Sequence, residues 1–310
     1  MNNKKIAISV GDVNGIGLQL ILENHMEVSQ ICRPVYCINK DILSQAADLL
    51  NMDIPDNFRI SNTKGELTIK PGKVSKKSGQ YSYDSFKDAI EFARDNLADG
   101  ICTMPIHKEA WNKAGIDYVG HTDMLRDIFS EDAIMMLGCD KMYVALYTEH
   151  IPLKKVIKKI KTQELVDFLL NLYKSLSLED DENIAVLGLN PHAGDNGVLG
   201  NEEKYIIKAI NKTNKALGKD IFVGPMVPDV AFIPAMREKY KYFVAMYHDQ
   251  GLAPLKALYF DEGINVSLNL RILRTSVDHG TAFDIAYKPD NNLSSKSYIN
   301  AIKYIVSRKD

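Results

Sequence analysis

Short apolar runs alternate along the chain with longer stretches whose apolar positions recur at helical spacing. A continuous apolar run bounded by turn residues reads as a strand buried on both faces, and recurrence every three or four residues reads as one face of a helix. IAISV (6–10) precedes the helical LQLILENH (18–25), and PVYCIN (34–39) precedes DILSQAADLLNM (41–52). DSFKDAIEFARDNLA (84–98) leads into ICTMPI (101–106). Later, TQELVDFLLNLYKSL (162–176) leads to NIAVLGL (183–189), EEKYIIKAINKTNKAL (202–217) to IFVGPM (221–226), and FIPAMREKY (232–240) to YFVAMY (242–247). This alternation predicts an α/β fold with a largely parallel sheet. Three β-rich pieces, FRISN (58–62), GELTIKPGKV (65–74) and INVSLNL (264–270), interrupt it and predict some antiparallel pairing, hence mixed sheets. The closing helix, SYINAIKYIVSR (297–308), carries an apolar stripe that predicts packing on the N-terminal sheet.

The ends of the predicted strands carry the candidate chemistry. MYVALYT runs into Glu149-His150, NIAVLGL into Asn190-Pro191-His192, and YFVAMY into His248-Asp249-Gln250-Gly251. Ligands of open α/β sheets bind outside the carboxyl ends of the strands, so three imidazoles at three such ends can converge. Three protein ligands with an open position make a catalytic metal site. Singly, each histidine is as readily a hydrogen-bonded core residue; as a set, metal ligation is the favoured reading. Asp249 and Gln250 are candidate acceptors to orient the imidazoles.

His107 follows ICTMPI, where a cap or surface role is the commoner one. In Gly120-His121-Thr122, Thr122 is placed to cap the helix DMLRDIF and leaves His121 toward the crevice. Lys256, Asn265 and Arg274 lie amid apolar residues, and the two cations suggest capture of an anionic substrate group, against an ordinary ion pair of Arg274 with Asp278 or Asp284. The first loop, Gly11 to Gly17, has its glycines spaced unlike the dinucleotide fingerprint; it is either a phosphate-approaching loop or a tight strand-to-helix turn.

Composition narrows the class. At 310 residues the chain has room for one large or two medium domains, and a net charge of −2 without long like-charged blocks excludes a nucleic-acid or anionic-membrane surface. The lysines at 154–161 read as a solvated face. No apolar run approaches the roughly 20 residues of a bilayer span, and the N-terminus shows no signal peptide. Four cysteines lack C-x-x-C spacing, with Cys102 and Cys139 in apolar stretches. A reducing cytoplasm fits.

One ordered series of motifs has a family likeness: TMPIHKEAWNKAG (103–115), GHT (120–122), TEHIPL (148–153), GLNPHAGDNGVLGNEE (188–203), AMYHDQGLAPLK (245–256) and GINVSLNLRILRTSVDHGTA (263–282) with Asp284. Collinear from about residue 5 to residue 285, it resembles the 4-hydroxythreonine-4-phosphate dehydrogenase family of vitamin B6 biosynthesis. The resemblance implies NAD-dependent, or NADP-dependent, oxidation of 4-phosphooxy-L-threonine to 2-amino-3-oxo-4-phosphooxybutanoate, which decarboxylates to 3-amino-2-oxopropyl phosphate on the way to pyridoxal 5'-phosphate. It implies a two-domain fold like isocitrate and isopropylmalate dehydrogenases, with the active-site cleft between domains: residues 1–122 plus 276–310 in the first, 123–275 in the second. It further implies a homodimer with shared active sites, the His248 motif and the basic residues after it reaching the partner's site. Carried over by motif, His150, His192 and His248 hold a divalent metal (zinc, with magnesium or cobalt as alternatives). His121, Thr122, Lys256, Asn265 and Arg274 contact substrate, and Asp249 and Lys256 are candidates for the general base.

The sequence also departs from the pattern. The family's first loop, G-D-P-A-G-I-G-P-E, is replaced by GDVNGIGLQ (11–19), and its A-G-x-G-x-A segment by Ala286-Tyr287-Lys288-Pro289-Asp290-Asn291; the region before residue 90 looks shortened. These changes bear on the dinucleotide, for which no residues are assigned. The alternative within the superfamily is a dehydrogenase for another hydroxy acid, a four-carbon aldonate phosphate or a dihydrodiol carboxylate. Outside it stand a phosphate acyltransferase, which needs no histidine-bound metal, and a zinc hydrolase, which needs no dinucleotide.

Overall fold

The structure, a computed structural model, describes residues 4–288 and 292–308. Along the chain come β1 (Lys5–Ser9), α1 (Gly17–Ile31), β2 (Arg33–Cys37), α2 (Lys40–Leu50), α3 (Lys76–Arg94), β3 (Gly100–Thr103), α4 (Lys108–Ala114) and α5 (His121–Phe129). There follow β4 (Ile134–Cys139), β5 (Met142–Leu146), α6 (Leu153–Lys159), α7 (Thr162–Ser175), β6 (Ile184–Leu187), a helical turn at Pro191–Gly197, α8 (Glu203–Leu217) and β7 (Phe222–Met226). The chain closes with α9 (Pro234–Lys239), β8 (Tyr242–Ala245), α10 (His248–Tyr259), β9 (Ile264–Leu268), β10 (Arg274–Val277) and α11 (Lys296–Ser307). The fold is α/β.

Two compact units divide the chain: residues through Glu131 with 264–266 and 270 onward, and residues 132–263 with 267–269. In the first, the strand order is β2-β1-β3-β10, all parallel. The strands β1 and β3 are apolar and almost wholly buried, as parallel strands covered on both faces must be. The core beneath them gathers Phe86, Trp111, Met124 and Leu125. Helix α2 is fixed at its start by Asn39, whose side chain accepts from the Ile42 amide, and at its end by Asn51 in the left-handed region. Helix α11 packs on β10, where the Thr275 hydroxyl donates to the Ala301 carbonyl at 3.0 Å.

In the second unit the order is β4-β5-β8-β6-β7, parallel except for the antiparallel β4–β5 pair. Met142, Val144, Leu187, Phe243 and Leu255 form its core. An antiparallel pair thus lies in 134–146; INVSLNL supplies the strand β9, whereas FRISN and GELTIKPGKV supply none. Of those two pieces, only Ile60 makes an isolated bridge, to Tyr36, and residues 65–74 form no strand. Polar side chains take the place of a ladder there. Asn39 donates to the Thr63 and Gly65 carbonyls, Gln45 donates to Leu67 O and accepts from Ile69 N, and Asn14 accepts from Lys70 N and donates to Lys73 O. With its backbone groups satisfied in this way, the segment needs no partner strand. Among the described residues no helix is long and apolar enough to cross a membrane.

Candidate active site

In the second unit β5, β8 and β6 are parallel neighbours, so their carboxyl ends share one edge. His150 lies beyond the end of β5, and His248 opens α10 directly after β8. Their rings approach to 5.3 Å between centroids. His248 Nδ1 stands 2.8 Å from Asp249 Oδ1; a carboxylate only accepts, so Nδ1 carries the proton and Nε2 the lone pair. An imidazole oriented by a carboxylate in this way is the donor that borderline divalent ions such as zinc take, and the His150–His248 pair fits such an ion. Among the described residues, however, no three His, Cys, Asp or Glu side chains form a group able to hold one. His192 does not join the pair within this chain.

Gln250 does not orient an imidazole: its Oε1 accepts from Met246 N at 2.7 Å and its Nε2 donates to Gly188 O at 2.7 Å, tying the end of β8 to that of β6. The close seat of α10 on β5 requires Gly251, where a Cβ would come within 2.4 Å of Val144 Cγ1. Lys256 lies half-buried on the same helix, its Nζ 5.8 Å from the Phe260 ring centroid.

The turn that carries His192 is conformationally unusual. His192, Ala193, Gly194, Asp195 and Asn196 all have positive φ, and His192 itself is exposed. Left-handed backbone in non-glycine residues is costly and persists where the surroundings impose it. Glu203 braces the entry to the turn: buried at the start of α8, it accepts from the Leu189 and Asn190 amides at 3.0 and 2.7 Å and from Asn190 Nδ2 at 2.9 Å. Glu202 accepts a further 2.8 Å bond from Asn190 Nδ2.

In the first unit Arg274, 3% exposed, opens β10 beside the end of β3. Its Nε and Nη2 donate to Thr103 Oγ1 at 3.1 and 2.6 Å, its Nη2 lies 3.0 Å from His121 Nδ1, and its Nη1 is 3.4 Å from Asn265 Oδ1. Four residues from three motifs thus meet in one cluster. His121 sits edge-on to Phe86 and Trp111, at 4.5 and 5.7 Å. Burial, and next the neighbouring guanidinium, hold its pKa well below the ordinary imidazole value; burial pushes that of Arg274 down to about 10. Thr122 is buried next to His121 and lies inside the helix rather than at its N-cap: α5 begins at His121, with Gly120 as the N-cap.

The first loop is a tight turn whose glycines are used against the protein itself. A Cβ at Gly11 would come within 2.3 Å of Pro105 O, at Gly15 within 2.7 Å of Thr281 O, and at Gly17 within 2.5 Å of Val10 O. Asp12 is buried, accepting from Asn14 N and Ser78 Oγ, and burial raises its pKa. Tyr287, in the second segment that departs from the family pattern, donates to Val13 O at 2.8 Å; Pro289, Asp290 and Asn291 lie outside the described residues.

A family model described as pyridoxal phosphate biosynthetic protein PdxA matches residues 30–305. The chain belongs to the PdxA family. A relative from Sulfurimonas denitrificans, named 4-hydroxythreonine-4-phosphate dehydrogenase, is 60% identical over 307 residues, covering 99% of this chain and 98% of that one. One of the same name from Campylobacter fetus is 53% identical, with both chains fully covered. Among solved structures, a 4-hydroxythreonine-4-phosphate dehydrogenase from Burkholderia phymatum superposes with a TM-score of 0.81 at 31% identity, covering 98% of each chain. Within the PdxA motifs, sequence reading passes over two residues that the geometry brings forward. Thr103 is the first letter of TMPIHK and reads there as one more strand residue; Glu203 is the last letter of GLNPHAGDNGVLGNEE and reads as a helix start.

Proposed function

We propose that the chain catalyses the oxidation of 4-phosphooxy-L-threonine, with the decarboxylation that follows, in pyridoxal 5'-phosphate biosynthesis. The observation that carries this reading is 60% identity, over nearly the whole of both chains, to a relative of that name. The buried cluster of Arg274, His121 and Asn265 supports it, since these residues hold substrate in the pattern the chain resembles. Arg274 and Lys256 supply positive charge for the phosphate, and His121, Thr122 and Asn265 supply neutral polar groups that orient the rest of the molecule. Asp249 and Lys256 are the candidate proton acceptors.

His150, His192 and His248 are the proposed ligands of a divalent ion, zinc in the first place and magnesium or cobalt as alternatives. When bound, such an ion supplies Lewis acidity for a substrate oxygen, and NAD or NADP supplies the hydride acceptor. Because His150 and His248 adjoin in one chain while His192 stands apart, a site completed across a homodimer is favoured. Large exposed apolar side chains in the second unit, among them Leu153, Ile157, Val198 and Phe260, are consistent with a partner surface. Four free, buried cysteines suit the cytoplasm.

The test is an assay of the purified protein with 4-phosphooxy-L-threonine, NAD or NADP and a panel of divalent metals, following absorbance of the reduced nicotinamide. Metal-dependent reduction is expected. Absence of reduction with every metal and both nucleotides would reject the reading, and equal turnover of 4-hydroxythreonine without its phosphate would reject the phosphate-binding role of Arg274 and Lys256.

A further inference from the structure

A guanidinium donates hydrogen bonds and accepts none. With Arg274 Nη2 3.0 Å from His121 Nδ1, that nitrogen carries the lone pair and the ring proton resides on Nε2. His121 Nε2 is buried and has no hydrogen-bond partner among the described residues. A buried donor without a partner is rare in a native fold, and here it belongs to a ring confined between Phe86 and Trp111. The N–H is therefore reserved for a group that the fold does not supply.

What holds the guanidinium in this pose is its other edge. Thr103 Oγ1, fully buried at the end of β3, takes two N–H groups at once, from Nε at 3.1 Å and Nη2 at 2.6 Å. Both hydroxyl lone pairs are thereby used, and the hydroxyl proton is left to the Thr275 carbonyl at 3.5 Å. The Asn265 contact, at 3.4 Å, is the longest of the set. Removing the Thr103 hydroxyl deletes two bonds from one side of the fork and leaves two N–H donors buried.

We propose that Thr103 is a positioning residue: its hydroxyl fixes the plane of Arg274, and Arg274 fixes His121 as the Nε2–H tautomer that donates to the substrate. The inference rests on the function proposed above. On the Thr103 side a neutral hydroxyl, rather than a carboxylate, orients the arginine.

Long-range proton–nitrogen NMR of the imidazoles tests the tautomer directly, with the His121 signal assigned by its loss in His121→Gln. The wild type should show a bare Nδ1 and a protonated Nε2 at neutral pH; a protonated Nδ1 overturns the proposal. Thr103→Val keeps the shape and loses the acceptor. It should raise KM for 4-phosphooxy-L-threonine on the order of ten- to hundredfold, leave KM for NAD unchanged and shift the His121 tautomer balance. Thr103→Ser should restore both. Unchanged KM with an unchanged His121 signal in Thr103→Val overturns the proposal. Should that variant fail to fold, Thr103→Ser against Thr103→Ala decides in its place, equal KM in the two counting against the hydroxyl. An inactive wild type would instead tell against the proposed function, and the His121 signal in Thr103→Val would still decide whether Thr103 holds the pair.

Discussion

At the scale of single residues, the buried guanidinium is the most sensitive position. Arg274→Lys keeps the charge but cannot span Thr103, His121 and Asn265 together. A charge-assisted bond contributes about 1.5–3 kcal/mol. KM for the phosphorylated substrate should therefore rise about ten- to hundredfold, with KM for NAD unaltered, as steady-state kinetics would reveal. His121 gives a pH signature. Its pKa in the fold lies well below the ordinary 6.5, so below that value the unfolded chain binds a proton that the folded chain refuses. The stability due to its neutral burial is complete above 6.5 and declines as pH falls toward the folded value. Melting curves from about pH 7 down to about pH 5 should steepen this decline in the wild type relative to His121→Gln; parallel curves would assign the effect elsewhere. His150, His192 and His248 stand out in the sequence because each follows an apolar run. Thr103 and Glu203 are not, because their importance lies in which distant groups they bond: a hydroxyl facing a guanidinium 171 residues away leaves no local trace.

Among the elements, α3 and α4 approach each other closely. A Cβ at Gly79 would come within 2.1 Å of Ala110 O, a backbone atom that cannot swing aside. Gly79→Ala should cost at least about 1–3 kcal/mol and displace Trp111, on whose ring edge His121 rests. Loss of both melting temperature and substrate affinity is expected, whereas Gly120→Ala, with nothing within 4 Å of its Cβ and an extended backbone, should be silent. A melt of Gly79→Ala that matches the wild type would show that the helices can part without cost. The parallel strands could be read from sequence, since burial on both faces leaves a continuous apolar run. Residues 65–74 mislead for the converse reason: their β-rich composition is real, but Asn14, Asn39 and Gln45 occupy the backbone groups that a ladder would use. IMMLGC, which forms β4, is as apolar as its neighbours and goes unread beside the MYVALYT run that follows it.

For the whole molecule, the proposed sharing of the three histidines across a homodimer is tested by mixing subunits. Mixing inactive His192→Ala and His248→Ala subunits should restore roughly a quarter of wild-type activity, since half of freely reassorted dimers are hybrids with one intact site in two. His150→Ala mixed with His248→Ala should restore none, because those two imidazoles adjoin within one chain. Recovery in the second mixture, or none in the first after confirmed subunit exchange, would assign the ligands differently. Exhaustive chelation should abolish turnover while circular dichroism keeps its native form, because the cores of both units are built without the metal.

Asn14 ties the first loop to a segment 56 residues further along the chain. Where the resembled loop carries alanine, the asparagine here clamps Lys70 and Lys73 from one amide group, and Tyr287 clasps the neighbouring Val13 carbonyl from the other altered segment. Substitutions at such mutually bonded positions do not add independently. A chimera that restores the alanine of the resembled loop alone would leave the turn at 70–73 without its clamp.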